Sequence, residues 1–154
     1  MLKIVRAESD DHFRQAHGLF EEYAAFLGID LSFQGFDEEL SNLATVYSPP
    51  NGSLLLAFYQ DQTSGCVALR RLEEGICEMK RLYVRPQFRN LRLGNSLAKG
   101  IIDEARRLGY NRMRLDTLPS MARAQALYES LGFHEIAPYR FNPVDGTVFM
   151  ELAI

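Results

Sequence analysis

Apolar residues recur along the chain with two different periods, and each period predicts one kind of element. A spacing of three to four residues lies between Ser9, which can cap a helix, and Gly28, which can end one. The same spacing returns from Leu93 to Leu108 and stops at a glycine. Two further helices are predicted at 37–46 and 120–131. These stripes predict helices that each bury one face.

The other segments alternate between apolar and polar residues or are continuously apolar, as strands are. Strands are predicted at 2–6, 53–60, 65–72, 76–84, 111–117, 133–140 and 147–153. The turns near 61–64 and 73–75 are short, so the three strands around them should form an antiparallel meander. After residue 93 helices and strands alternate. The order of elements therefore predicts a mixed fold of the α/β (α+β) class.

Length and composition favour a single domain. The chain has 154 residues, 47% of them hydrophobic, which suffices for a core of its own over residues 1–154. The N-terminus lacks a basic-then-apolar leader, and the longest apolar run, Leu54 to Tyr59, is too short to cross a membrane. We therefore expect a soluble cytoplasmic protein. Cys66 and Cys77 fall out of register in neighbouring strands, so free thiols are expected, without the spacing of metal ligands.

Charge is segregated along the chain although the net charge is only −3. Residues 80–114 hold ten lysines and arginines against two carboxylates, whereas residues 1–79 hold five basic and thirteen acidic residues. The basic segment should attract a polyanion, and the acidic half should favour a cation. Nucleic acid is the less favoured anion because the total is acidic and no known DNA-reading motif is present. For Arg106, Arg107 and Arg112, a solvated charged surface is an equal alternative.

A phosphate-binding turn is predicted where the strand ending at Val84 meets the helix beginning near Leu93. A helix start leaves backbone N–H groups without partners, and these groups carry partial positive charge. Arg89 and Arg92 add full charges beside them. Strand, basic loop and helix start in this order predict a site for an anion, and in particular for a pyrophosphate.

Two segments resemble the GNAT superfamily of acyl-CoA-dependent N-acyltransferases. Residues 80–94 read Lys-Arg-Leu-Tyr-Val-Arg-Pro-Gln-Phe-Arg-Asn-Leu-Arg-Leu-Gly, which is similar to the strand and pyrophosphate loop of that family. Residues 124–133 read Ala-Gln-Ala-Leu-Tyr-Glu-Ser-Leu-Gly-Phe, similar to its Leu-Tyr-x-x-x-Gly-Phe helix ending. The resemblance implies a mixed, mostly antiparallel central sheet of about seven strands flanked by about four helices.

The resemblance also implies an acetyl-CoA-dependent N-acetyltransferase that needs no metal. It would transfer the acetyl group of acetyl-CoA to a primary amine of a small-molecule or amino-acid-like acceptor, and this amine would attack the thioester directly. The residues expected to bind the cofactor are Leu82, Tyr83, Val84, Arg89, Asn90, Leu91, Arg92, Leu93, Gly94, Asn95 and Ser96. Two positions depart from the family pattern: Arg92 stands where a glycine is usual, and Met121 where many members carry an asparagine.

Two residues match catalytic positions of the family. Glu78 matches a catalytic glutamate and is the candidate base; on strand alternation it shares a face with Lys80 and Leu82, and burial should raise its pKa. The alternatives are an ion pair with a neighbouring cation, or a water chain as the base. Tyr128 is the candidate acid, which would protonate the departing CoA thiolate. Its alternative role is that of a core tyrosine, because it lies on the apolar stripe of its helix.

The acceptor site is expected over the splayed strands, at Phe33, Phe36, Tyr139 and Asn142, which are also candidates for core or lid positions. The acidic N-terminal half would suit a cationic amine. Three alternatives stay open: a CoA-binding module without turnover, an O-acyltransferase, and an enzyme for longer acyl chains. The expected partners are acetyl-CoA and a small amine, with neither nucleic acid nor membrane, and a homodimer through the late strands is possible for this fold.

Overall fold

A seven-stranded sheet forms the centre of the computed structural model, which describes residues 1–32 and 35–154. The strand order is β1-β2-β3-β4-β5-β7-β6, and β4 and β5 are the parallel pair among antiparallel neighbours. The strands are β1 Leu2–Arg6, β2 Ser53–Tyr59, β3 Gln62–Glu73, β4 Ile76–Val84, β5 Arg112–Thr117, β6 His134–Ile136 and β7 Val148–Ala153. The expected mixed, mostly antiparallel sheet is confirmed.

Five helices flank this sheet within the described ranges: α1 Asp10–Leu27, α2 Phe36–Ser41, α3 Leu43–Val46, α4 Leu93–Arg107 and α5 Ala122–Ser130. The ends of α1 are as predicted: the Ser9 side chain accepts a hydrogen bond from the His12 amide, and Gly28 adopts a left-handed φ of 69°. The single helix predicted over 37–46 is wrong. Asn42, with φ of −135°, separates α2 from α3.

The sheet buries both of its faces, and each face has its own hydrophobic cluster. One cluster lies under α4 and α5 and includes Leu69, Leu97 and Met113. The other lies under α1, α2 and α3 and includes Phe20, Tyr47 and Leu56. Because both faces are covered, β2 is buried over 53–57, which explains its continuous run of apolar residues.

A bulge in β4 changes which side chains share a face. Cys66 pairs with Tyr83 but Ala68 pairs with Lys80, so β4 has one extra residue opposite Val67. The extra residue is at Arg81, whose φ of 61° is left-handed. After the bulge, Leu82 packs in the cluster under α4 and α5. The prediction that Leu82 shares a face with Glu78 is therefore wrong.

The parallel strands β4 and β5 separate soon after they meet. They pair over Ile76–Glu78 and Arg112–Arg114, and both strands then continue without further pairing to each other. The second half of β4 consequently keeps backbone hydrogen-bonding groups along the edge that faces β5. The opening between the two strands is the central feature of the candidate site.

β6 is shorter than predicted. It covers three residues, not the expected 133–140, and pairs through Ile136 with Phe149 of β7. Pro138 and Pro143 interrupt the strand pattern that follows, since proline cannot donate to a ladder. The resulting loop carries Tyr139 and Asn142 towards the opening between β4 and β5.

Both cysteines are free, as predicted, and both are buried. Burial raises the pKa of the Cys77 thiol to about 12. Within the described ranges, no helix is long and apolar enough to cross a membrane.

Candidate active site

A large groove of about 760 Å³ runs past the end of β4 and the starts of α4 and α5. Eight of the eleven residues predicted to bind the cofactor line it: Leu82, Tyr83, Val84, Arg89, Asn90, Arg92, Leu93 and Gly94. Three do not: Leu91, Asn95 and Ser96. The Ser96 amide donates to the Arg92 carbonyl inside the helix, so that amide is already used.

The loop before α4 turns through two left-handed residues, Asn90 with φ of 77° and Arg92 with φ of 61°. Asparagine tolerates this conformation, whereas for arginine it costs about 1 kcal/mol. No side chain caps the start of α4, so its first backbone amides lie open towards the groove. Arg92 thus takes the conformation that a glycine adopts easily, and the backbone donors stay in place.

Arg89 braces this loop. Its Nε donates to the Val84 carbonyl at 3.1 Å, and its guanidinium lies 4.7 Å from the centre of the Phe26 ring. These contacts tie the loop to the end of β4 and to α1, and they bring a positive charge to the groove.

Gly94 lies in the first turn of α4 and lines the groove. A Cβ built on it would meet only Leu127 Cδ2 among the described residues, at an ordinary 3.9 Å. The protein's own packing therefore leaves room for a side chain there. The absence of one instead lets a ligand approach the backbone closely.

Sequence reasoning missed the opposite wall of the groove, which comes from α1 and from the start of α5. The missed lining residues are Tyr23, Phe26, Leu27, Ser120, Ala122, Arg123, Ala124 and Leu127. Met121, noted as a departure, also lines the groove, at the start of α5. The apolar stripe of α1 identified a helix, but it carried no signal of which turn faces a ligand.

A second, smaller cavity of about 50 Å³ lies in the opening between β4 and β5. It shares Tyr23, Leu27, Leu82 and Met121 with the groove, so the two spaces meet there. Its polar lining residues are Lys80, Arg81, Asp116, Thr117, Tyr128 and Asn142. The protein therefore has a long groove that ends beside this small, partly polar cavity.

Tyr128 is buried, with 7% of its surface exposed, and lines the small cavity. Gly132, with φ of 102°, reverses the chain so that the Phe133 amide donates to the Tyr128 carbonyl at 3.0 Å. The two aromatic rings then meet edge to face, 5.7 Å apart. These contacts explain the Tyr-x-x-x-Gly-Phe spacing, because they hold the Tyr128 ring in place. Burial raises the pKa of the phenol, which therefore stays protonated at neutral pH.

Glu78 lies deeper, with 1% of its surface exposed, and is surrounded by donors. The Tyr139 hydroxyl donates to Glu78 Oε2 at 2.7 Å, and Arg140 pairs with the same oxygen. On the other side, Arg70 Nε lies 3.4 Å and Lys80 Nζ 4.0 Å from Oε1. The ion pair considered for Glu78 is thus present, with more cations than the sequence suggested.

The expected rise of the Glu78 pKa is wrong. Burial raises it, but the charges of Lys80 and Arg140 and the hydrogen bond from Tyr139 together outweigh burial and leave the pKa below its usual value. Glu78 is also not among the described residues that line the small cavity. Its carboxylate is a fixed anion at neutral pH.

Two basic residues, Lys80 and Arg81, line the small cavity. Arg81 binds the buried Glu39 through two hydrogen bonds, of 2.9 and 2.7 Å. Lys80 is 7% exposed, and burial together with the charge of Arg81 lowers its pKa to about 7. The acidic N-terminal half was expected to suit a cationic amine, but two of its carboxylates are held by arginine: Glu39 by Arg81 and Glu22 by Arg85.

The residues expected at the acceptor site have different positions. Asn142 lines the small cavity and donates to Asp116 at 3.3 Å. Tyr139 lies behind it, bound to Glu78. Phe36 is a core residue at 8% exposure, with its ring 5.2 Å from the Arg81 guanidinium. Phe33 lies outside the described residues.

Arg140 was not identified from the sequence. The only available signal was its place in a loop between late strands, and that signal does not point to Glu78. Across residues 1–32 and 35–154, no cluster of three or more His, Cys, Asp or Glu side chains is arranged to hold a metal ion.

Known proteins are similar to this chain in sequence and in structure. A family model described as the acetyltransferase (GNAT) family matches residues 8–133. A relative from Schizosaccharomyces pombe, named an uncharacterized N-acetyltransferase, is 46% identical over 136 residues, which is 87% of this chain and 83% of that protein.

Solved structures are similar over nearly the whole chain. An acetyltransferase from Streptococcus agalactiae has a TM-score of 0.81 at 23% identity and covers 99% of this chain and 98% of its own. A Salmonella typhimurium structure, described with its cofactor acetyl-CoA, has a TM-score of 0.70 at 20% identity and covers 99% and 93%.

Proposed function

The chain belongs to the GNAT family of acetyltransferases and is an acetyl-CoA-dependent acyltransferase, and from this premise we propose that it acetylates the primary amine of a small molecule. The observation that carries the proposal is the meeting of the groove with the small cavity. An uncapped helix start lies along the groove, and Tyr128 lies in the cavity that adjoins it. Donor and acceptor would meet at Leu82 and Met121, which line both spaces.

The start of α4 would hold the diphosphate of the donor. Backbone amides of Leu93 and Gly94 face an anion at the positive end of the helix dipole, and Arg89 adds a charge nearby. Gly94 leaves room for the phosphate oxygens to reach the main chain. Relatives of this fold bind the same cofactor, which supports this assignment.

The second half of β4 would orient the thioester. After Glu78 this strand is not paired to β5, so main-chain groups between Leu82 and Val84 can face a ligand along that edge, although the Val84 carbonyl already accepts from Arg89. An amide of this segment would donate to the thioester oxygen as negative charge develops on it. Such a fixed donor in a buried site typically contributes about 3 kcal/mol to transition-state stabilisation.

Direct attack needs a neutral amine and a protonated leaving group. The amine nitrogen bonds to the thioester carbon, the C–S bond breaks, and the sulfur takes a proton from the Tyr128 hydroxyl. The proton lost by the amine passes to a base and then replaces the proton that Tyr128 gave up. Glu78 in the role of that base stays a prediction from the sequence. Its contacts support a different role, in which the Glu78 carboxylate fixes the positions of Tyr139 and Arg140.

The size of the small cavity favours a small acceptor. A site needs roughly 10–15 Å³ for each water-sized group, so 50 Å³ accommodates only a few non-hydrogen atoms. The reacting end of the acceptor, and not a large part of it, fits between β4 and β5.

A panel of small primary amines incubated with acetyl-CoA tests the proposal, with free thiol and the acetylated product measured together. Acceptor-dependent release of thiol, in equal amount to the N-acetyl product, is expected for some members. Saturable CoA binding with no release above the acceptor-free rate across the panel would contradict the proposal and favour a CoA-binding module. Release with an ester as the product would identify an O-acyltransferase instead.

A further inference from the structure

Positive charge lies beside the small cavity, where Lys80 and Arg81 are lining residues. Arg70, Lys80 and Arg140 approach a single carboxylate, that of Glu78, which is 1% exposed. Of the neighbouring cations, Arg81 binds Glu39, and Arg114 shares Glu151 with Arg112. Lys80 is the buried one of the three residues around Glu78 and also lines the cavity, so a ligand that enters the cavity meets its amino group.

We propose that the acceptor carries a carboxylate on the same small molecule as its amine, and that this carboxylate binds beside Lys80 in the cavity between β4 and β5. This inference rests on the proposed function, because it concerns the acceptor of the same reaction. It narrows the small or amino-acid-like acceptor that the resemblance implies to an amino acid or a close analogue.

Lys80 is the cation that lines the cavity from the β4 side. It lies beyond the position where β4 and β5 stop pairing, next to the bulge at Arg81. Burial and the charge of Arg81 both oppose its charged form, as its lowered pKa of about 7 shows. A carboxylate at this place would stabilise the protonated amine and would itself gain a charge-assisted hydrogen bond.

Thr117 supplies an independent observation on the β5 side. It is 5% exposed, it lines the same cavity, and its Oγ1 has no hydrogen-bond partner among the described residues. A buried hydroxyl without a partner is rare in folded proteins, and a ligand oxygen in the cavity would satisfy it. Asn142 lines the cavity as well and offers a second polar group.

Asp116 gives the cavity a place for the amine. It lies next to Thr117 in β5 and lines the same space. The cavity thus has the amino group of Lys80 on the β4 wall and the carboxyl group of Asp116 on the β5 wall. A molecule that bears an amine and a carboxylate a few atoms apart would place each group beside its counterpart.

The first test compares acceptors that differ only in the carboxylate: a set of small amino acids, their carboxamides and the corresponding decarboxylated amines. We expect kcat/KM for the acid to exceed that for its amide on the order of 100-fold, since a site built for a polar group rejects analogues that lack it. Equal or better use of the amide or the amine would overturn the carboxylate proposal while leaving N-acetylation established.

If no member of the set is acetylated, a binding measurement still tests the carboxylate site separately from the proposed N-acetylation. The lack of acetylation would itself contradict the proposed function. The acid and its amide would then be titrated into the protein saturated with CoA, with the thermal shift as the readout. A larger shift for the acid would support the carboxylate site, whereas equal or absent shifts would overturn it.

Two variants locate the site. Lys80→Met is expected to reduce the preference for acid over amide to below about tenfold, because it removes the cation from the cavity. The exposed Lys99→Met is its matched control and should retain the full preference. Thr117→Val keeps the shape of the side chain, so it should leave thermal stability equal or higher but raise KM for the acid several-fold. An unchanged preference in Lys80→Met together with an unchanged KM in Thr117→Val would overturn the proposal.

Discussion

Tyr128 shows how a single residue can be held for chemistry by its neighbours. Its ring packs edge to face on Phe133, and its helix ends at once in Gly132, so the ring has one stable position beside the small cavity. Burial keeps the hydroxyl protonated. A protonated hydroxyl on a fixed ring that lines the cavity next to the groove is well placed to donate to a departing thiolate.

Tyr128→Phe is therefore expected to lower kcat by about 100-fold or more, the usual contribution of a positioned acid, while the Kd for acetyl-CoA changes less than about threefold. The control is Tyr110→Phe, which removes a hydroxyl that donates to the Asn51 carbonyl and lines neither space. Steady-state kinetics and calorimetry on both variants provide the comparison. An unchanged kcat in Tyr128→Phe would exclude the hydroxyl from the reaction.

Single residues were also where sequence reasoning failed. The bulge at Arg81 has no local signal, because arginine rarely adopts a positive φ and nothing beside it suggests a turn. The pKa of Glu78 depends on Arg140, which is 62 residues away in sequence, and no periodicity connects the two. Tyr128 was identified because its motif is local and the contacts that hold it are local too.

At the scale of elements, the start of α4 is the most informative part of the molecule. The predicted strand, loop and helix start lie where the pattern placed them, because the stripe from Leu93 and the preceding polar loop have strong local signals. The strand expected over 133–140 was too long because Pro138 interrupts it, and the contacts of Tyr139 and Arg140 with Glu78 then hold the loop that follows.

Gly94→Ala tests the role of the helix start. The added methyl group meets only ordinary contact within the described protein, so the variant should fold and become more stable by up to about 1 kcal/mol, as helical glycine replacements do. We expect its affinity for acetyl-CoA to fall about tenfold, because the methyl group occupies the space through which phosphate would reach the backbone.

The matched control is Gly18→Ala in the middle of α1. A Cβ there meets no described atom within 4 Å, and Gly18 does not line the groove. It should gain similar stability without any loss of affinity. If both variants bind acetyl-CoA as well as the unchanged protein, the phosphate does not approach the backbone at Gly94.

At the scale of the whole molecule, buried carboxylates join distant parts of the fold. Glu104 of α4 accepts two hydrogen bonds from Arg6 at the end of β1, one from Ser53 at the start of β2, and two from Arg107. The hydrogen bond from Arg6 is the largest of the interactions that lower the pKa of Glu104. Burial raises this pKa, but the interactions outweigh burial and hold the pKa well below its usual value. Glu39 is a second such carboxylate, with its pKa held down by Arg81 against the effect of burial.

A carboxyl whose pKa is lower in the folded than in the unfolded state stabilises the fold above the unfolded pKa, near 4.3. That stabilisation is lost as the pH falls through this value towards the folded pKa. The free energy of unfolding should therefore decrease between about pH 5 and pH 2.

Glu104→Gln should lower the free energy of unfolding by about 3 kcal/mol at pH 7, because it leaves Arg6 without its anion. The difference from the unchanged protein should shrink at pH 3. Urea unfolding at both pH values gives the measurement, with the exposed Glu129→Gln as control. A difference that is the same at both pH values would show that the charge of Glu104 does not cause the stabilisation.

The account as a whole depends on the main-chain amides at the start of α4, which we propose hold the diphosphate of the acyl donor. The most direct measurement is a calorimetric titration of acetyl-CoA into the purified protein. The account predicts saturable binding at one site, with a Kd in the range of about 1–100 μM. Titration to millimolar acetyl-CoA without heat or saturation would contradict it.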